Sequence, residues 1–199
     1  MSKIIATRDF RAYYEAWVST GSTVAMPADT IAYGAVVADA ATDFLEAGGT
    51  VGGLSVGFNV QRGSISIDQL VDPVLTPVTG RTITMSTNLA EITVANLDAA
   101  AALGTTATTA AGSGTKGNNR LSIGEAVPDV FKVWLFEALQ QNLEAFRIIG
   151  YKTQMTGSPT INIRPTEPAQ IALQVGCRVD TTTDPARVMQ VRSIIPALP

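Results

Sequence analysis

The chain has no histidine. That absence removes Ser-His-Asp and Cys-His nucleophile pairs, histidine general bases and histidine metal ligands. Cys177 is the single cysteine, so no intrachain disulfide and no cysteine-rich zinc or iron–sulfur site can form. Set in an alternating apolar run, it is expected as a small buried core residue. Charge is scarce as well: 16% of residues are charged, against about 25% in an ordinary soluble domain. Such a surface suits a protein partly covered by other protein, although abundant Thr and Ser can also keep a surface wet. Fourteen Lys and Arg stand against 17 Asp and Glu, for a net charge of −3. No basic run exists to displace counterions from phosphates, so a tight grip on nucleic acid is not expected. The sign of the charge permits a surface past which DNA slides. No stretch approaches the roughly 18 apolar residues of a membrane span, and Met1-Ser-Lys-Ile-Ile-Ala-Thr-Arg-Asp9 lacks the apolar core of a signal peptide.

The remaining chemistry is thin. Gly112-Ser-Gly-Thr-Lys116-Gly has the composition of a phosphate-cradling loop but the wrong spacing, and it follows a helical segment instead of a strand. Asp68, Asp72 and Glu91 are the nearest approach to a carboxylate pair of the glycosidase kind; surface or capping roles explain them more simply. Asp39 and Asp43 offer too few oxygen ligands for a divalent cation. No catalytic residue, metal site or cofactor is expected, and the chain reads as a non-enzyme.

What is present is patterned mostly as strands. The 199 residues, 46% of them hydrophobic, suit one domain over residues 1–199 with a sizeable core. Residues 1–50 are the hardest to assign. Phe10, Tyr13, Tyr14 and Trp17 fall at helical spacing, while Tyr13–Val18 also alternates as a strand. Gly48-Gly49 and Gly52-Gly53 read as turns before the first clear strand. From there Leu54, Val56, Phe58 and Val60 alternate with polar residues, predicting a half-buried strand. The apolar parity changes after Arg62-Gly63 to Ile65 and Ile67, which predicts a bulge or bend at the glycine. Asp68 to Gly80 contains Pro73 and Pro77 and reads as a loop or edge. Its aliphatic Val71, Val74, Leu75 and Val78 need a surface to cover them, on this chain or on a neighbour.

Ile83, Met85 and Leu89 predict the next strand, and Ala90 to Leu103 a helix capped by Thr93 and closed by Gly104. Thr105 to Arg120 is nearly all Thr, Ala, Gly, Ser and Asn. It cannot bury a core and is expected as a flexible loop; a lid over an active site would have this composition, and so would an arm that orders only on contact with another subunit. Strands are expected over Val130–Phe136, Phe146–Tyr151, Thr160–Ile163, Ile171–Val179 and Val188–Ile195. Seven or eight strands with one helix describe a mainly β chain: a β-sandwich or incomplete barrel with a flanking α-helix and long loops.

One segment is more specific. Gly53-Leu-Ser-Val, a kinked strand ending at Asp68-Gln69, the turn Asp72-Pro73-Val74, Thr79-Gly80-Arg81, and then Leu89-Ala-Glu-Ile-Thr-Val-Ala-Asn-Leu97 resemble the tail tube (major tail) proteins of long-tailed bacteriophages. Phe131-Lys-Val-Trp-Leu-Phe136 and Pro168-Ala-Gln-Ile-Ala-Leu-Gln-Val175 fit the same family more loosely. The resemblance favours a strand at Tyr13–Val18. It implies a barrel-like tail tube fold and rings of subunits, usually six, whose sheets join into an inner barrel and whose stacking makes the conduit for genome ejection. It implies a place in the virion tail after assembly in the host cytoplasm. Tape measure, tail terminator and baseplate proteins would be partners, with transient passage of DNA and no membrane binding. Ring-to-ring or subunit contacts would involve Asp68, Gln69, Asp72, Pro73, Val74, Leu75, Pro77 and Thr79. A mobile assembly loop would carry Lys116, Asn118, Asn119 and Arg120. Related alternatives are a baseplate hub, a tail terminator or a capsid decoration protein. An alternative of another class is a small-ligand-binding β-barrel.

Overall fold

The computed structural model describes residues 15–19, 24–35, 44–65, 75–101, 104–123, 131–139, 144–164, 167–182 and 186–195. The chain is mainly β with one helix. In order come β1 (Glu15–Ser19), β2 (Leu45–Arg62), β3 (Val78–Leu89), α1 (Val94–Ala101), β4 (Gly104–Thr109) and β5 (Asn118–Ile123). They are followed by β6 (Lys132–Leu139), β7 (Ala145–Met155), β8 (Ile161–Arg164), β9 (Glu167–Cys177) and β10 (Met189–Ser193).

Eight strands form one antiparallel sheet in the order β10-β7-β6-β1-β2-β3-β9-β8. On the side of β7 away from β6, β10 takes Phe146–Gly150 and β9 takes Thr153–Met155. The second pairing closes β7-β6-β1-β2-β3-β9 into a barrel and leaves β10 and β8 as flaps on either side of the fork. Closure removes the edges of those strands where they meet, which is one way a sheet avoids unpaired backbone.

The barrel strands share one apolar cluster that includes Ala16, Ala47, Met85, Trp134, Ile148 and Ile171, joined by Ala99 and Ala100 of α1. Cys177 belongs to it, as its sequence setting predicts, and burial pushes its thiol up to about 11. Trp134 and Phe136 stack with ring centroids 6.0 Å apart. The interior is tightly filled: a Cβ on Gly150 would lie 2.7 Å from Met85 Cε and 2.7 Å from Thr153 Cγ2.

β6 is buried on both faces. Val133 and Leu135 turn outward with Ile149 and Tyr151 of β7 into a second cluster, covered by Val24, Met26 and Phe44. At the margin of that cluster Glu137 and Arg147 stand directly opposite each other on β6 and β7, both fully buried. Arg147 Nε donates to Glu137 Oε1 at 2.7 Å. Its other nitrogens donate to the carbonyls of Ala28 at 2.8 Å and Ile31 at 2.6 Å, while Gly34 N–H donates to Glu137 Oε2 at 3.1 Å. A buried ion pair is tolerable only when its remaining hydrogen-bonding capacity is used. Here the pair uses it to hold segment 24–35 against the sheet.

β1 is a strand, as the resemblance favours, and Ala16 and Val18 on it are buried; helical spacing of four aromatics is a weak signal beside the pairing available on both sides of that segment. Several other expectations change. Gly48, Gly52 and Gly53 lie inside β2, not in turns before it, with φ of 90°, 79° and 79°. Between Val51 and Ser55 the register with β3 slips; two successive glycines give the bulge its left-handed backbone without a Cβ penalty. α1 is shorter than Ala90–Leu103, although Thr93 does cap it, its Oγ1 accepting from Asn96 N–H at 3.0 Å. Gly104 opens β4 instead of closing the helix. Ten strands are present among the described residues. β9 ends at Cys177, so Val179 is exposed and outside the strand. Ile67, Val71 and Tyr13 lie outside the described residues, as do Asp39 and Asp43.

Candidate assembly surface

β2 and β3 outrun the barrel. Among the described residues, β1 pairs with β2 as far as Gly49, and β9 meets β3 from Ile83 onward. Beyond Ile83, Asn59–Arg62 and Val78–Thr82 pair only with each other among the described residues. The ladder then continues through Gly63 N–H to the Pro77 carbonyl at 2.9 Å and Ile65 N–H to the Leu75 carbonyl at 2.8 Å. A two-stranded ribbon is marginal in water unless something packs on it.

Opposed residues of an antiparallel pair share a face. Val56 opposes Met85, Phe58 opposes Ile83, Val60 opposes Arg81 and Arg62 opposes Val78. The face that is core at Met85 therefore runs outward along the ribbon, where the chain stops covering it: Met85 is 0% exposed, Phe58 64%, Val60 48% and Val78 49%. Ile65 and Leu75 are exposed as well. The bulge expected at Gly63 lies instead on the partner strand. Gln61 opposes Gly80 and Arg62 opposes Val78, so Thr79 is the extra residue of a bulge on β3. Gly63 sits against it, because a Cβ there would lie 2.9 Å from Thr79 Cγ2.

Of the predicted contact residues, Leu75 and Thr79 are exposed on the ribbon and Pro77 is half-buried in it. Val78–Gly80 belong to β3, which corrects the expectation of a loop as far as Gly80. Asp68, Gln69, Asp72, Pro73 and Val74 lie outside the described residues. Leu75 and Val78 are not covered by their own chain among those residues. Phe58 and Val60 were expected to be half-buried; alternation identifies an apolar face but not what covers it.

The expected flexible loop at 105–120 is a β-hairpin. β4 and β5 pair in register from Gly104↔Ile123 to Thr109↔Asn118, with a further bridge Gly112↔Thr115 and Gly114 at φ 73°. Runs of β-branched Thr favour the extended backbone even with no core to bury. The composition was a sound guide to burial, since residues 106–120 are exposed throughout. Lys116 lies near the tip, and Asn118, Asn119 and Arg120 begin β5. As part of a paired hairpin in the single chain, this segment does not depend on a second subunit for its order.

Near the start of α1, Asn96 is 3% exposed and its Nδ2 donates to the Ala47 carbonyl at 2.8 Å and the Glu91 carbonyl at 3.0 Å. One side-chain amide thus ties β2 to the segment before the helix. The bond brings the exposed acids Glu46 and Glu91 into one neighbourhood, with the Glu91 side chain lying against Gly48.

Between β9 and β10, Asp180 is buried and bridges backbone-to-backbone with Arg187. Its carboxyl is held below the usual range first by the Thr182 hydroxyl, which donates to Oδ1 at 2.6 Å, and further by Arg187 and Lys152, against the opposing effect of burial. The Arg187 guanidinium stacks over the Tyr151 ring at 3.7 Å. A concavity of about 360 Å³ beside the β2 bulge is lined by Gly52, Gly53, Ser55, Ser86, Asn88 and Gln174 among others, and it brings no ionisable groups together. No group of acids and cysteine able to hold a metal occurs among the described residues. Nor is any helix there long and apolar enough to cross a membrane. No protein-family model matches this chain, and neither does any curated protein.

Proposed function

We propose that this chain is a tail tube protein of a long-tailed bacteriophage, a non-enzymatic virion component that polymerises as stacked rings around the path of the exiting genome. The reading starts from the resemblance of residues 53–97 to that family. The observation that carries it is the β2–β3 ribbon, whose face continues the barrel core and carries apolar side chains left uncovered among the described residues. A second copy is the natural cover, because the same ribbon also offers backbone with no other strand beside it among the described residues. β8 offers a further edge with no strand beside it among the described residues, and Ile161 and Ile163 are exposed on it. Head-to-tail contacts between unlike edges close into rings, and stacking extends them. Tail terminator and baseplate proteins would cap such a tube, and a tape measure protein would set its length.

A small-ligand barrel fits less well, because the interior around Gly150, Met85 and Thr153 is filled by the chain's own side chains. Electron microscopy of the purified protein at high concentration tests the proposal. Rings or tubes with a central channel are the expected result. A particle that stays a single copy at every concentration overturns it.

A further inference from the structure

The β4–β5 hairpin contains no acidic residue and two cations, Lys116 and Arg120, both exposed and without an ion-pair partner among the described residues. The rest of the chain is consequently more negative than the net −3 of the whole. Glu46 and Glu91 are the complementary feature: two exposed acids, also without ion-pair partners among the described residues. They are held near each other by the Asn96 amide, which bonds the Ala47 and Glu91 carbonyls. The position is built, not incidental. Gly48 takes φ 90° beside the Glu91 side chain, and a Cβ there would lie 2.6 Å from Glu91 Cδ.

We infer that the Lys116–Arg120 end of the hairpin docks on the Glu46–Glu91 pair of a second copy of this chain. The inference rests on the self-assembly reading and adds which charges meet. An exposed hairpin that buries no core gains a function only from what it touches, and opposite charge selects the acidic neighbourhood of another copy over the ribbon, which carries the exposed cations Arg62 and Arg81. Two cations release few counterions from a phosphate backbone, so a nucleic acid fits this arm less well.

Charge reversal tests it. Lys116→Glu with Arg120→Glu should raise the concentration needed for assembly on the order of tenfold, as expected for two exposed pairs turned repulsive. Mixing that variant with Glu46→Lys/Glu91→Lys protein should restore assembly towards the wild-type concentration. Glu46→Lys alone, which leaves the helix start intact, should show a smaller shift in the same direction. Urea midpoints of the hairpin variant should match the wild type, because both residues are exposed.

If wild-type protein assembles and the hairpin variant assembles at the same concentration, the inference is wrong while the tube reading stands. The inference is equally wrong if that variant assembles normally but loses retention of duplex DNA, which would make the arm a nucleic-acid contact. Wild-type protein that never assembles would sink both.

Discussion

Replacing the exposed apolar residues of the ribbon should separate assembly from folding. Phe58, Val60 and Val78 are 64%, 48% and 49% exposed. Full burial of such a side chain stabilises by about 1.5–3 kcal/mol, so roughly half of that, about 1 kcal/mol each, is left to be gained when another copy covers the ribbon. Threonine keeps the preference for extended backbone and removes most of the apolar gain. Phe58→Thr should therefore weaken assembly about fivefold, and the triple threonine variant about a hundredfold, taking about 1.4 kcal/mol per tenfold. The monomer should lose no more than about 1 kcal/mol per substitution, because each side chain is already about half in water. Met85→Ala is the contrasting control: fully buried, it should cost about 2–5 kcal/mol of folding stability. Sedimentation velocity across a concentration series reads assembly, and urea unfolding of dilute protein reads stability. The reasoning fails if Phe58→Thr destabilises the monomer as much as Met85→Ala does, or if the triple variant assembles like the wild type.

Three further expectations concern the scaffold. Arg147→Met strands the Glu137 carboxylate in a fully buried site and should cost about 3–5 kcal/mol in urea unfolding; Arg147→Met with Glu137→Leu should recover much of that, and a single-variant loss below about 1 kcal/mol would refute the clamp. Gly150→Ala should cost about 1–3 kcal/mol by overpacking, because Thr153, whose Oγ1 donates to the Lys132 carbonyl at 2.7 Å, cannot readily turn aside. Asp180 has a folded pKa below its ordinary 3.8, so its contribution is complete above that value and fades as pH falls through the lower folded one. Asp180→Asn should flatten the acid limb of a stability-versus-pH curve, and an unchanged slope below pH 3.8 would count against the Thr182–Arg187 setting.

Much of the fold was legible because its strands alternate against one buried face. Ile83 to Leu89 and Ile171 to Cys177 showed that pattern plainly, and both are barrel strands. β6 was legible differently, as a continuous run of apolar and aromatic residues buried on two faces. Positions governed by backbone geometry were harder to read. Gly48, Gly52 and Gly53 have the composition of turns, yet they bend a strand from within. The Thr-rich hairpin hides behind the composition of a disordered loop, because pairing needs no core to set its register. The assembly surface was half visible: Leu75, Pro77 and Thr79 were singled out, whereas Phe58 and Val60 were expected within a half-buried strand. No pattern within one chain marks where that chain ceases to cover its own apolar face. The Glu46–Glu91 neighbourhood was invisible for a related reason, since the two acids lie 45 positions apart and are brought together by the end of the β2–β3 ladder and the Asn96 amide.

Amide hydrogen exchange over Asn59–Arg62 and Val78–Thr82, compared between dilute and concentrated protein, bears most directly on the claim that a second copy covers the ribbon. Strong protection that appears only in the concentrated sample, together with protection of the β8 edge, is the predicted result. Exchange at the same rate in both samples, while large particles are present, would mean that the ribbon is not where copies meet.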